Sequence, residues 1–101
     1  MSKMIFHIVT PERWEEFSSH DSYVADSLTT EGFIHCSFEN QLEGVIGRYY
    51  SNASELLILE IDSELLTSTL VEEASTNGEI YPHIYGPINK DSIVNVREWK
   101  R

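Results

Sequence analysis

The stretch Glu55-Leu56-Leu57-Ile58-Leu59-Glu60-Ile61 constrains the fold more than any other. Its apolar residues fall on both faces of an extended chain, so it reads as a central strand covered on each side. The chain has 101 residues, room for one hydrophobic core and not for two. A chain of this size buries roughly two-thirds of its unfolded surface and folds without a disulfide or metal. A single domain over residues 1–101 is expected.

The rest of the chain supplies shorter elements. Residues 4–9 are β-branched and aromatic and read as a strand. Thr10 can cap a helix and Pro11 suits its first position, while Glu12, Glu15 and Glu16 favour the positive end of its dipole. Trp14 and Phe17, one turn apart, give that helix its buried side. Residues 26–32 read as a turn of helix stopped by Gly32, and residues 33–37 as a short strand. The clearest helix follows, with Ser37 as its expected cap. Phe38, Leu42, Val45, Ile46 and Tyr49 form one stripe at i, i+4, i+7, i+8 and i+11. Gly44 and Gly47 weaken it by up to about 1 kcal/mol each and suggest close packing against a neighbour.

After the central strand, Asp62 can cap a turn that runs through Leu66. Residues 69–72 are a strand, 73–78 a polar loop, and 80–85 an extended segment. Pro82 makes that segment an edge or irregular strand. Gly86-Pro87 is a turn, and residues 93–99 close the chain as a strand. This gives about six strands and two main helices without regular alternation. The pattern predicts a mixed or antiparallel α+β domain rather than a doubly wound parallel sheet.

The formal charge of −10, from 7 basic and 17 acidic side chains, argues against a nucleic-acid partner, because a polyanion is repelled at long range. No run is long enough to span a bilayer, and none at the start reads as a signal peptide. The lone Cys36 forms no internal disulfide, which points to a reducing compartment. A cytoplasmic protein whose partner is a small molecule is expected; oligomeric state is not legible.

Glycine-rich phosphate loops, paired-cysteine motifs, HExxH and nucleophile elbows are absent from the sequence. The chemistry-bearing pattern is histidine. Three of the four histidines, His7, His35 and His83, sit in strand-like segments between apolar neighbours. Strand alternation puts His7 with Ile5 and Val9, His35 with Phe33 and Ser37, and His83 with Tyr81 and Tyr85. An imidazole in such a mixed environment can donate to a ligand, take a proton or bind a metal. Three imidazoles plus water also make a catalytic zinc arrangement. The spacings here, 28 and 48 residues, mean that only the fold could assemble one. A structural role for each histidine is the competing reading. Cys36, alternating away from His35, reads as a small buried residue.

Three segments, Ile5-Phe6-His7-Ile8-Val9, Asp26 through Ser37 (ending EGFIHCS) and Tyr81 through Ile88 (containing PHIYGP), resemble the family called domain of unknown function 952. The resemblance runs over nearly the whole chain. It implies an ADP-ribosyltransferase-like split sheet, similar also to RNA 2′-phosphotransferases, with NAD bound in a cleft between two small sheets. By position, His7 resembles the residue that contacts a ribose, and His35 with Ser37 the segment near the nicotinamide. His83 or Glu79 takes the late catalytic place. Gly32, Phe33, Tyr81 and Tyr85 are expected around the ligand. The chain departs from the phosphotransferases in having no arginine beside any of the three histidines. The function expected from all this is a small-molecule-binding domain, with NAD as substrate for transfer at, or hydrolysis of, an N-glycosidic bond. A binding module without catalysis and a three-histidine metal site are the alternatives.

Overall fold

The computed structural model describes residues 3–75 and 78–101. In chain order it contains β1 (Met4–Val9), α1 (Pro11–Glu15), β2 (Ser22–Tyr23), α2 (Ser27–Glu31), β3 (Ile34–His35), a 3-10 turn (Glu39–Gln41) and α3 (Leu42–Tyr49). These lead into β4 (Glu55–Asp62), β5 (Thr69–Ala74), β6 (Ile80–Tyr85), β7 (Ile88–Asn89), a second 3-10 turn (Lys90–Ser92) and β8 (Ile93–Lys100). The class is α+β. Every pairing between named strands among the described residues is antiparallel.

The strands form three sheets, ordered β1-β4-β8, β2-β7 and β3-β6-β5. As the apolar run predicts, β4 is the middle strand of its sheet and is covered on both faces. Leu59 and Ile61 enter a core with Ile5, Val9, Tyr23, Ile34, Cys36, Ile84 and Ile88. Leu56 and Ile58 enter a second core with Phe6, Ile8 and the α3 residues Leu42 and Ile46. Fully burying a side chain of this kind contributes roughly 1.5–3 kcal/mol, so these faces anchor the sheet.

The two three-stranded sheets meet at one bridge. Phe6 N–H donates to the Ser37 carbonyl at 2.8 Å, and Ser37 N–H returns a bond to Phe6 at 2.7 Å. Beyond that point β1 and β3 diverge.

Local signals held in several places. Thr10 Oγ1 accepts from Arg13 N–H at 3.2 Å and caps α1, with Pro11 in its first turn. Trp14 and Phe17 pack partly buried on the core. Gly32 ends α2 in the left-handed region, at φ 88°. Asp62 accepts from Glu64 N–H at 3.0 Å in the turn after β4.

Other expectations are corrected. Ser37 is not the helix cap, because its backbone is committed to the bridge with Phe6; Phe38 precedes the 3-10 turn, its N–H donating to Gln41 Oε1 at 2.9 Å, and Gln41 stands at the N-terminus of α3. Tyr49 is 73% exposed, outside the buried stripe, and Gly44 and Gly47 lie on the exposed side of α3 rather than against a neighbour. The turn of helix expected over 26–32 is the five-residue α2, and the two-residue strands β2 and β7 carried no propensity signal.

β6 is the middle strand of its sheet, not an edge, despite Pro82. The proline is accommodated because its carbonyl accepts from Cys36 N–H at 3.1 Å. Having no N–H to return, it ends the β3 ladder at His35. Of the stretch expected to be a loop, Glu73 and Ala74 extend β5, and residues 76 and 77 lie outside the described residues. Among the described residues no helix is long and apolar enough to cross a membrane.

Candidate functional site

The divergence of β1 from β3 opens a cleft of about 1120 Å³ that His7, His35 and His83 all line. Register explains the convergence. Ile34 and Cys36 turn inward to the core, so Phe33, His35 and Ser37 turn to the opposite face of their sheet. Opposite them on β6, Pro82 and Ile84 are fully buried, which puts His83 and Tyr81 on the cleft side. His35 and His83 face each other directly across the strands, in a pair without mutual backbone bonds. Such pairs bring side chains close; the two rings meet edge to face, with centroids 5.4 Å apart.

His7 does something different. Past the Phe6–Ser37 bridge, the next rung of the ladder would join Ile8 to His35. Instead the His7 ring fills the gap, and its Nδ1–H donates to the His35 carbonyl at 2.7 Å. Since a carbonyl only accepts, the proton sits on Nδ1 and Nε2 accepts from the Tyr23 hydroxyl at 3.2 Å. Burial lowers the His7 pKa from 6.5 to about 4, so the ring is neutral at pH 7. The same burial, with the Arg13 guanidinium opposing it, pushes the Tyr23 hydroxyl up to about 12. Both ring nitrogens of His7 are therefore engaged, and the ribose contact expected of it would need Tyr23 to move away.

The other two histidines each carry a carboxylate. His35 Nε2 lies 3.1 Å from Glu31, and half of that side chain is exposed. His83 is buried, and its Nδ1 lies 2.8 Å from Glu73 Oε1. The Tyr85 hydroxyl donates to the same Glu73 oxygen. Tyr85 first, and then His83, hold the Glu73 carboxyl below the usual carboxylate range. Phe33 stacks on the His83 ring at 4.2 Å and 21°.

Not every expected residue reaches the cleft. Phe33, Ser37 and Tyr81 line it. Gly32, Glu79 and Tyr85 do not: Gly32 serves as the stop of α2, Glu79 accepts from Gln41 at 2.9 Å beside β6, and Tyr85 is turned to Glu73. The acid beside His83 is Glu73, not Glu79. It was missed because residues 73–78 read as loop, whereas β5 carries Glu73 to the strand position opposite Tyr81. Cys36 is buried, and desolvation raises its thiol pKa well above the usual range, as a packing residue requires.

The fold also brings in arginines that sequence neighbourhood does not show. Arg13 and Arg48 both line the cleft, facing the carboxylates Asp26 and Glu31, so the wall is close to neutral in a chain of −10. Arg13 is paired with Asp26 at 2.9 Å and Glu16 at 2.9 Å. Arg48 donates to the Tyr81 hydroxyl at 2.7 Å and, among the described residues, pairs with no carboxylate. No group of three metal-ligating side chains converges among the described residues.

The chain matches the family described as a protein of unknown function (DUF952) over residues 8–96. None of the curated proteins matches it. Among solved structures, it is similar to the crystal structure of protein CC0527 from Caulobacter crescentus, with a TM-score of 0.85 and 23% identity over 95% of this chain and 85% of that one. The solution NMR structure of CC0527 gives a TM-score of 0.78 at 20% identity, covering 96% of this chain and 84% of that one. At these identities the likeness is one of fold. The family match, spanning most of the sequence, places this chain in the DUF952 family.

Proposed function

We propose that this DUF952 member binds a small nucleotide, NAD or a close relative, in the cleft between its two diverging sheets. The carrying observation is that His7, His35 and His83, far apart in sequence, line one cleft that also holds Arg13 and Arg48. Ligand pockets typically measure roughly 300–1,000 Å³, so the cleft has space for a dinucleotide. Arg48 has no carboxylate partner among the described residues, which suits it to a phosphate oxygen. β1 contributes backbone as well. Alternation turns the Ile8 N–H and C=O away from β4 and toward the cleft, a donor–acceptor pair that matches a carboxamide. His35 and His83 stand at the reacting end, and the reaction class is transfer at, or hydrolysis of, an N-glycosidic bond, as in ADP-ribosyltransferases. His7 holds the site open.

One observation favours a second reading, a binding module without catalysis. One of the three imidazoles spends both nitrogens inside the protein, which leaves two for chemistry. NAD titration followed by the histidine ring signals in NMR tests binding, and time-resolved detection of free nicotinamide separates the two readings. His35 and His83 signals are expected to shift. Silence of both at millimolar NAD would end the nucleotide reading.

A further inference from the structure

We propose that His83 is the proton acceptor of the cleft and that Glu73 is the positioning residue that makes it one. The inference rests on reading the cleft as a site for N-glycosidic chemistry. Four observations carry it. The His83 side chain is only 6% exposed, and its ring is stacked on Phe33 at 4.2 Å, so it has little freedom to flip. Nδ1 meets Glu73 Oε1 at 2.8 Å, and a carboxylate acceptor keeps the neutral ring's proton on that nitrogen. The Tyr85 hydroxyl binds the same oxygen and fixes it. Nε2 has no hydrogen bond to a described residue, and among the described residues no buried side-chain nitrogen is left without a partner. That nitrogen therefore opens on the cleft with its lone pair available.

The matching ligand is a hydroxyl, water or an alcohol, held beside the glycosidic carbon. Its proton passes to His83 Nε2 as its oxygen forms the bond to that carbon. The carbon–nitrogen bond breaks, and the leaving base takes the electron pair and departs neutral. The positive charge that was on the nicotinamide nitrogen of NAD is thereby replaced by one on the imidazolium, which faces the Glu73 carboxylate. Solvent then removes the proton.

The groups that face His83 are Glu73 from β5, His35 from β3 with its partner Glu31 from α2, and Tyr81 and Tyr85 from its own strand, with Arg48 behind Tyr81. Among these Glu73 is in direct hydrogen-bond contact with the ring, so its charge dominates.

Long-range proton–nitrogen NMR of the ligand-free protein across pH tests the inference without any substrate. Neutral His83 should carry its proton on Nδ1. Glu73→Gln keeps an acceptor but removes the charge, and should raise the share of the neutral His83 ring that carries its proton on Nε2. Tyr85→Phe should leave the tautomer unchanged. A wild-type His83 whose neutral ring carries its proton on Nε2 overturns the inference, as does a tautomer ratio left unchanged in a folded Glu73→Gln variant. NAD binding without that tautomer would sink this inference and leave the nucleotide reading standing. The tautomer without NAD binding would do the opposite.

Discussion

Replacing His7 with asparagine, and following stability against pH, tests the strut between the sheets. Asparagine keeps a donor near the position of Nδ1 but cannot be protonated and offers Tyr23 no ring nitrogen. At pH 7 the loss of the acceptor for the buried Tyr23 hydroxyl and of the ring's packing should cost about 2 kcal/mol. The pH dependence is the sharper measurement. His7 has an ordinary value of 6.5 in the unfolded chain and about 4 in the folded one. Between these values the unfolded chain takes up a proton that the folded protein refuses. The stabilising contribution is therefore complete above pH 6.5 and is lost progressively as pH falls to 4. At 1.36 kcal/mol per unit it amounts to about 3 kcal/mol, a large part of the roughly 5–15 kcal/mol that holds a domain folded. Urea unfolding of both proteins at pH 7, 5.5 and 4, read by tryptophan fluorescence, isolates it, because the other titrating groups are common to both and cancel. The wild-type advantage should shrink by about 3 kcal/mol across that range and change sign at about pH 5. A constant difference from pH 7 to pH 4 would refute a buried, neutral His7.

Two further substitutions separate ligand recognition from scaffold. Arg48→Ala should weaken binding of NAD or ADP-ribose about tenfold, equivalent to about 1.4 kcal/mol, and flatten its salt dependence in calorimetry while leaving the melting temperature nearly unchanged. Gly86→Ala should lower the melting temperature, since a Cβ there would stand 2.5 Å from Ser68 Oγ and 2.9 Å from Ser68 Cβ. Overpacking of that kind costs about 1–3 kcal/mol, and a Ser68→Gly background should recover only that part in the same thermal melt, the strain of an alanine at φ +157° remaining.

The elements with local causes were legible: the two-faced run of β4, the Thr10–Pro11 start of α1, the Gly32 stop and the α3 stripe at Leu42 and Ile46. The three histidines could be singled out as strand residues, because alternation inside short strands is a local property, but that they share one cleft could not, because it depends on how β1, β3 and β6 meet. What escaped depends on register and on distant partners. Pro82 argued for an edge, yet its effect is only to stop a neighbouring ladder after two residues. Glu73 looked like loop because charge masks strand propensity on a half-exposed edge. Arg48 lies far from every histidine along the chain, and only the packing of α3 against β1 and β4 brings it over Tyr81. Ser37, placed as a cap by its residue type, was claimed by a backbone bridge that no local pattern encodes.

The bond from His7 to the His35 carbonyl also divides labour between scaffold and chemistry. One imidazole stands in for a rung of main-chain hydrogen bonding, so the angle between the sheets depends on position 7. The side chains at positions 35 and 83 bond carboxylates, Glu31 and Glu73, and, among the described residues, not the main chain. Sequence drift within this architecture is then more tightly bounded at position 7 than at positions 35 and 83. A relative that retains a neutral donor at position 7 and replaces the other two histidines should keep the groove, and one that places a charge at position 7 should have lost it.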